Sequence, residues 1–227
     1  MFLFIHKPSG PTSHDIADHL RRLTGERRIG HAGTLDPFAS GLLIVGVGRE
    51  ATKHLGELVG LDKTYEATLR LGATSDSYDR TGQIRIANFE LRMAKKQIQN
   101  ALDKFTGNIK QIPPMFSAKK MGGKKLYELA RQGKELPRAP VAVTIHNLEL
   151  IAYDAEHQIL NIHCRVSSGT YIRSLAHDLG QALGVGALLE ELQRTAIGPF
   201  QLAEAQTPDQ PLKYYSWEEI KTRVVNC

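Results

Sequence analysis

TYEATLRL, residues 64–71, alternates without a break, with Tyr65, Ala67, Leu69 and Leu71 on one side and Thr64, Glu66, Thr68 and Arg70 on the other. A period of two with one polar side marks a strand with one wet face, which suits an antiparallel sheet. Leu160, Ile162, Cys164 and Val166 repeat the pattern, and Leu42 to Val47 is a short apolar run that reads as a buried strand. Helical phrases lie between. Residues 12–24 predict a helix, with Thr12 and Asp15 spaced for a capping box, Ile16, Leu20 and Leu23 on one face, and Gly25 as the stop. Residues 93–105 predict a second (Ile98, Leu102, Phe105), ended by Gly107. The turn Ser167-Ser168-Gly169 leads into a third, with Tyr171, Leu175 and Leu179 in phase. The expected class is α+β, a mixed and largely antiparallel central sheet flanked by helices.

The 227 residues are 41% hydrophobic and 23% charged, enough apolar content for a sizeable core and too much for a disordered chain. Lys and Arg number 29 against 24 Asp and Glu, a net charge of +5. The surplus is unevenly placed. Residues 111–140 carry seven basic and two acidic groups, whereas residues 141–227 carry six and ten. A local basic surplus is the footprint of a polyanionic partner.

Two cysteines, Cys164 and Cys227, are too few for a disulfide framework and fit a reducing cytoplasm. No run approaches the ~18 apolar residues of a membrane span, and Phe2 to Ile5 is too short for a signal peptide. The histidines form no HExxH and no CxxC accompanies them, so no metal site is expected. Gly46-Val47-Gly48-Arg49-Glu50-Ala51 matches a GxGxxA dinucleotide fingerprint, but one-sided strands argue against the parallel sheet such a site needs.

Residues 108–140 interrupt the α+β rhythm. Pro113-Pro114, then Lys119, Lys120, Lys124 and Lys125 around Gly122-Gly123, one short helical phrase, and Pro137 and Pro140 read as a long surface excursion. Met115, Phe116 and Tyr127 interleave with the cations, which suits phosphate pairing plus base stacking as well as it suits a solvated loop.

Two further stretches carry candidate chemistry. In GHAGTLDPFASGLL (30–43), Asp36 precedes Pro37, which pushes its backbone out of the helical region, on a glycine-rich loop feeding a strand. An isolated Asp-Pro is more often a plain turn. Here His31 and the glycines favour a reactive carboxylate, and with no second carboxylate beside it, a nucleophile rather than half of a glycosidase pair. In SSGTYIRSLAHDLG (167–180), Tyr171 and Arg173 lie where strand becomes helix and offer a ring and a guanidinium, able to keep a carboxylate ionised.

Together these blocks resemble the TruB family of tRNA pseudouridine synthases. GHAGTLDPFASGLLIVGVGREATK (30–53), IHKPSGPTSHD (5–15), DKTYEATLRLGATSDSYDRTG (62–82), QIPPMFSAKKMGGKKLYELARQGKE (111–135) and SSGTYIRSLAHDLG (167–180) follow the family's order across residues 1–200. The resemblance implies the pseudouridine synthase fold, with Asp36 as catalytic aspartate and His31 helping to hold the extruded target. It makes Tyr65 the stacking tyrosine, Tyr171 a wall of the uridine pocket, Arg173 the partner of the catalytic carboxylate, and Leu192 a contact of the uracil. Residues 114–142, with Lys119, Lys120, Lys124 and Lys125, correspond to a basic thumb lying against RNA.

Further expectations follow from the resemblance. They are a catalytic domain over 1–200, a short extension over 201–227 without a PUA domain, and isomerisation of uridine 55 in the tRNA T-loop by base flipping. The reaction is expected to need no cofactor or metal, no membrane and no protein partner, in a monomeric cytoplasmic enzyme. Departures from the family pattern are His6, where an acidic residue is common, and Gln193, where a second arginine is. The competing readings are an RNA-binding or tRNA-folding protein with weak catalysis, and pseudouridylation of another RNA stem-loop.

Overall fold

The computed structural model describes residues 1–87, 93–117, 120–121, 124–126, 130 and 136–225. Residues 1–66 with 192–227 form one compact unit and residues 67–191 another.

In the first unit, β1 (Phe2–Lys7) pairs antiparallel with β3 (Ser40–Val47), which also takes the short β2 (Ile29–His31) antiparallel and lies parallel to β12 (Ala187–Ile197) at Ser40 and Gly41. The continuous apolar runs of β1 and β3 are explained by burial on both faces. Leu3, Ile5, Leu43 and Val45 pack with Ile16, Ala17 and Leu20 of α1 (Ser13–Thr24). Phe2, Phe4, Leu42 and Ile44 pack with Phe200 and with Ile220 of the C-terminal helix (Trp217–Val225). Each such side chain contributes roughly 1.5–3 kcal/mol by leaving water. Residues 201–225 therefore form part of the first unit's core rather than a loose tail. Tyr215 stacks on Phe4 at 4.4 Å, and Arg223 grips Glu204 with both nitrogens at 2.7 Å while lying over Phe200.

The capping box expected at Thr12 forms, with the Thr12 hydroxyl accepting from Asp15 N–H at 3.0 Å and Asp15 accepting from Thr12 N–H at 2.8 Å. Gly25 ends the helix in the left-handed conformation. Leu23, expected on the apolar face, is instead exposed, and the buried side of the helix is Ile16, Ala17 and Leu20. The GxGxxA phrase leads into a four-residue helix, α2 (Arg49–Thr52), and then a short α3 (Leu55–Gly60), from a strand paired antiparallel with β1 and β2. That is not the βαβ setting of a dinucleotide site.

In the second unit the strand order is β4 (Lys63–Leu71), β11 (Ile159–Val166), β10 (Val141–Asp154) and β7 (Gly107–Gln111), with β10 antiparallel to both neighbours. The alternation of residues 64–71 appears as alternating burial along β4. Helices α4 (Lys95–Phe105) and α5 (Ile172–Ala182) bury Ile98 and Leu102, and Leu175 and Leu179. The hairpin of β5 (Ala73–Ser75) and β6 (Ile84–Ile86) precedes them. The long excursion starts later than its composition suggests, because residues 107–111 form an edge strand. Gln111 lies opposite Val141, so residues 112–140 leave and return at one point of the sheet. They contain a two-residue hairpin, β8 (Lys120–Met121) with β9 (Lys124–Lys125), and a small core of their own.

Candidate active site

Asp36 sits between β2 and β3, half-buried, with Leu35, Phe38 and Ala39 around it buried as anchors. A loop without regular pairing must have its polar backbone groups satisfied by something else. Here the donors come from the chain's first fifteen residues. The Ser13 hydroxyl accepts from Leu35 N–H at 2.9 Å and donates to Leu35 C=O at 3.2 Å. Ser9 donates to Phe38 C=O at 2.8 Å, and Gly10 N–H to Pro37 C=O at 2.8 Å. Fully buried Lys7 donates to the carbonyls of Pro8, Pro11 and Pro37 at 2.8, 2.7 and 3.2 Å, tying two proline-rich turns together. The Asp36–Ala39 turn closes with Ala39 N–H on Asp36 C=O at 3.1 Å. The carboxylate therefore stands on a rigid support.

The electrostatics of this unit favour an anion. Burial pulls Lys7 down to about 8, helped by Arg194 and opposed by the Asp36 charge. Lys63 is likewise pulled to about 8 by burial and by Arg194. His31 is held below the usual histidine range by burial first, then by Arg194 and His14, with a backbone bond from Gly33 acting the other way. At neutral pH the imidazole is thus uncharged. Tyr65 lies on the buried face of β4 next to Lys63, and Leu192 is buried on β12.

Tyr171 and Arg173 belong to the second unit. Tyr171 is the N-cap of α5, not part of its first turn as its phase suggests. Buried Gln111 clasps it by accepting from Tyr171 N–H at 2.8 Å and donating to Tyr171 C=O at 3.0 Å. Arg173 is buried, unlike an ordinary surface cation. Its guanidinium donates to Ser77 C=O at 3.1 Å and to Phe116 C=O at 2.7 Å, and its Nε lies 3.5 Å from Asp79 Oδ2. Asp79 in turn accepts from the Ser77 hydroxyl and from Thr81 N–H, each at 2.8 Å. Both arms of the fork are held.

The basic excursion is partly visible. Lys119 and Tyr127 lie outside the described residues, and for Lys120, Lys124 and Lys125 only the backbone strands are described. Met115 is buried against Leu126 with Phe116, Ala130 and Leu136 around them. The Met115-Phe116 pair, read from composition as suited to stacking on bases, is instead core to the excursion. Among the described residues no group of three or more His, Cys, Asp and Glu could hold a metal.

Residues 21–172 match the family model of the TruB pseudouridylate synthase N-terminal domain, and residues 173–224 match that of the tRNA pseudouridylate synthase B C-terminal domain. The chain belongs to the TruB family. Curated relatives in it include tRNA pseudouridine synthase B of Azoarcus sp. (strain BH72), 49% identical over 90% of this chain and 67% of the relative. The protein of the same name from Protochlamydia amoebophila is 48% identical over 88% and 75%. Among solved structures, a Cbf5–Nop10–Gar1 complex matches with TM-score 0.68 and 30% identity, over 88% of this chain and 49% of that one. An archaeal box H/ACA Nop10–Cbf5 complex matches with TM-score 0.65 and 28% identity, over 91% and 51%. The chain thus spans about half the length of those solved chains. It has the pseudouridine synthase fold of the TruB family.

Several buried polar residues escape a reading of local pattern, namely Lys7, Ser13 and Arg194, which hold the Asp36 loop, and Asp79, which pairs with Arg173 in the second unit. Each is polar and buried, with its partners distant in sequence or in a loop. Lys7 carried a faint signal, as the first charged residue after the apolar run Phe2 to Ile5 and His6.

Proposed function

We propose that this chain isomerises uridine to pseudouridine at position 55 in the T-loop of tRNA, with Asp36 as nucleophile. The observation that carries the reading is the Asp36 loop, whose backbone carbonyls on either side of the carboxylate accept from the Lys7, Ser9 and Ser13 side chains, in a chain of this family. The reaction breaks the N1–C1′ bond, turns the uracil and joins C5 to C1′, so the C5 hydrogen leaves as a proton. Attack on either base or sugar requires the ionised carboxylate, which the cationic surroundings of Lys7 and Arg194 favour. The target first leaves its stack, at a cost of a few kcal/mol. Buried Tyr65 and Leu192 supply apolar walls for it. A neutral His31 holds the extruded nucleotide without adding charge. Tyr171 lines the pocket and Arg173 serves as guanidinium partner of the catalytic carboxylate, the roles the family pattern gives those positions.

Tritium release from tRNA labelled at uridine C5 tests the reading. Multiple turnovers with the label lost from position 55 are expected. Purified protein that binds tRNA without releasing tritium would instead be an RNA-binding or RNA-folding protein. We further propose that the chain acts on tRNA as a cytoplasmic monomer without a protein partner; the tRNA substrate is supported by relatives of 48–49% identity that carry the tRNA enzyme's name. Activity on naked tRNA, together with a monomer mass by sedimentation, is the expected outcome.

The lysines of residues 114–142 are proposed to meet the phosphate backbone. Replacing Lys119, Lys120, Lys124 and Lys125 by Gln is expected to flatten the plot of log affinity against log salt. Each lost phosphate contact removes about 0.7–0.9 from the slope. An unchanged slope assigns these lysines to a solvated face.

A further inference from the structure

Arg194 is 1% exposed, and among the described residues it makes no ion pair. Its Nε donates to Leu42 C=O at 2.8 Å and its Nη2 to Gly33 C=O at 3.1 Å. Gly33 and Leu42 are the two shoulders of the Asp36 loop, one just after β2 and the other on β3. The backbone shape agrees with this grip. Gly41, opposite Arg194 in the parallel ladder, has φ +118°, and a Cβ there would fall 2.3 Å from the Arg194 carbonyl oxygen. Gly33 has φ +99°, and its Cβ would approach the guanidinium to 3.6 Å. Gly41 is therefore needed for its backbone to lie against that of Arg194, while Gly33 is needed for its positive φ, since a Cβ there would make only an ordinary contact with the guanidinium.

Burying a cation without a carboxylate partner is costly, and proteins keep such an arrangement where it does something. Three buried cations, Lys7, Lys63 and Arg194, belong to this unit. Of these, Arg194 alone keeps its charge at every working pH, because a guanidinium is not deprotonated in proteins. Its planar fork also reaches two carbonyls at once, which an ammonium on a flexible stem does less rigidly.

We propose that Arg194 is a positioning residue for Asp36, clamping the two shoulders of the loop and keeping its surroundings electropositive. The inference rests on the functional reading of Asp36 given above. Its electrostatic reporter is His31. The charges acting on that imidazole are Arg194 from β12 and His14 from α1, both lowering its pKa alongside burial, while the Gly33 backbone bond raises it. Removing the Arg194 charge raises the pKa of His31, so the neutral form is lost at a higher pH. The acid limb of the rate profile then moves up.

The experiment compares Arg194→Lys, Arg194→Met and Arg194→Ala with the wild type. Each variant's folded fraction is taken from its thermal melt. For the folded protein, kcat is expected to fall about 100-fold, the size of loss a ~1 Å misplacement produces, with KM for tRNA nearly unchanged. Added guanidinium is expected to restore part of the kcat of Arg194→Ala. His31, followed by NMR titration, is expected to titrate higher in Arg194→Met and unchanged in Arg194→Lys. Activity that merely tracks the folded fraction, with no rescue and no shift of His31 or the acid limb, would overturn the proposal. If no variant folds, the wild type decides: His31 titrating at or above the ordinary histidine range is the overturning result. Wild-type protein inactive on tRNA sinks the functional reading instead, and the His31 titration separates the two failures.

Discussion

Asp36→Asn is expected to bind tRNA with near wild-type affinity and to release tritium at least about 1,000-fold more slowly, the scale on which removing an activated nucleophile is felt. The substitution keeps size, exchanges one acceptor oxygen for a donor NH2, and removes charge and nucleophilicity. The loop should survive it, because the Lys7, Ser9 and Ser13 bonds to the carbonyls of Pro37, Phe38 and Leu35 are unaffected by the change. The check is single-turnover tritium release beside a filter-binding measurement and a thermal melt. Release within tenfold of wild type removes Asp36 from the chemistry. A collapse of the melting temperature would mean that the carboxylate carries structure, and the assignment would have to be tested with Asp36→Glu.

The second large effect is on stability, and it comes from the buried contacts of Arg173 within the second unit, apart from the role proposed for its guanidinium in the chemistry. Arg173→Ala strips two buried carbonyls, those of Ser77 and Phe116, of their donor and leaves Asp79 buried without its cation. Breaking one side of a buried pair costs about 3–5 kcal/mol. The Ser77 and Thr81 donors that remain on Asp79 place the expected loss near the lower end, about 3 kcal/mol. Denaturant melts of Arg173→Ala, Asp79→Ala and the double variant read this directly. The double variant should lose less than the sum of the single losses, because the orphaned charge is gone. Additive losses would show that the two side chains act independently.

Much of the architecture was legible from short-range pattern. The strand over 64–71, the capping box at Thr12 and the helix stop at Gly25 follow from local geometry, since burial on one face and a cap depend on neighbours a few residues away. The edge strand Gly107–Gln111 was not legible. GNIKQ is mostly polar, and its extended state comes from the ladder with β10 thirty residues later. Met115 misled for a related reason. Its partner Leu126 lies beyond a glycine pair in a lysine-rich stretch, so composition reported the solvent-facing residues and concealed the small core.

For the site, the residue types were readable, and so was the family to which they belong. Asp36 before Pro37 on a glycine-rich loop, and Tyr171 with Arg173 at a strand-to-helix junction, are properties of contiguous sequence. The supports are not. Lys7 reaches Pro37, Ser13 reaches Leu35 and Arg194 reaches Gly33 across 30, 22 and 161 residues. A buried lysine or arginine looks in sequence like any surface cation. What determines its burial is the set of carbonyls left unpaired when distant segments meet, and only the folded chain brings those carbonyls together. By itself the sequence determined which carboxylate is presented and on what kind of loop. Tertiary structure decided how that loop is held and which cations surround it, because hydrogen-bond satisfaction and desolvation are properties of packed neighbours rather than of chain order.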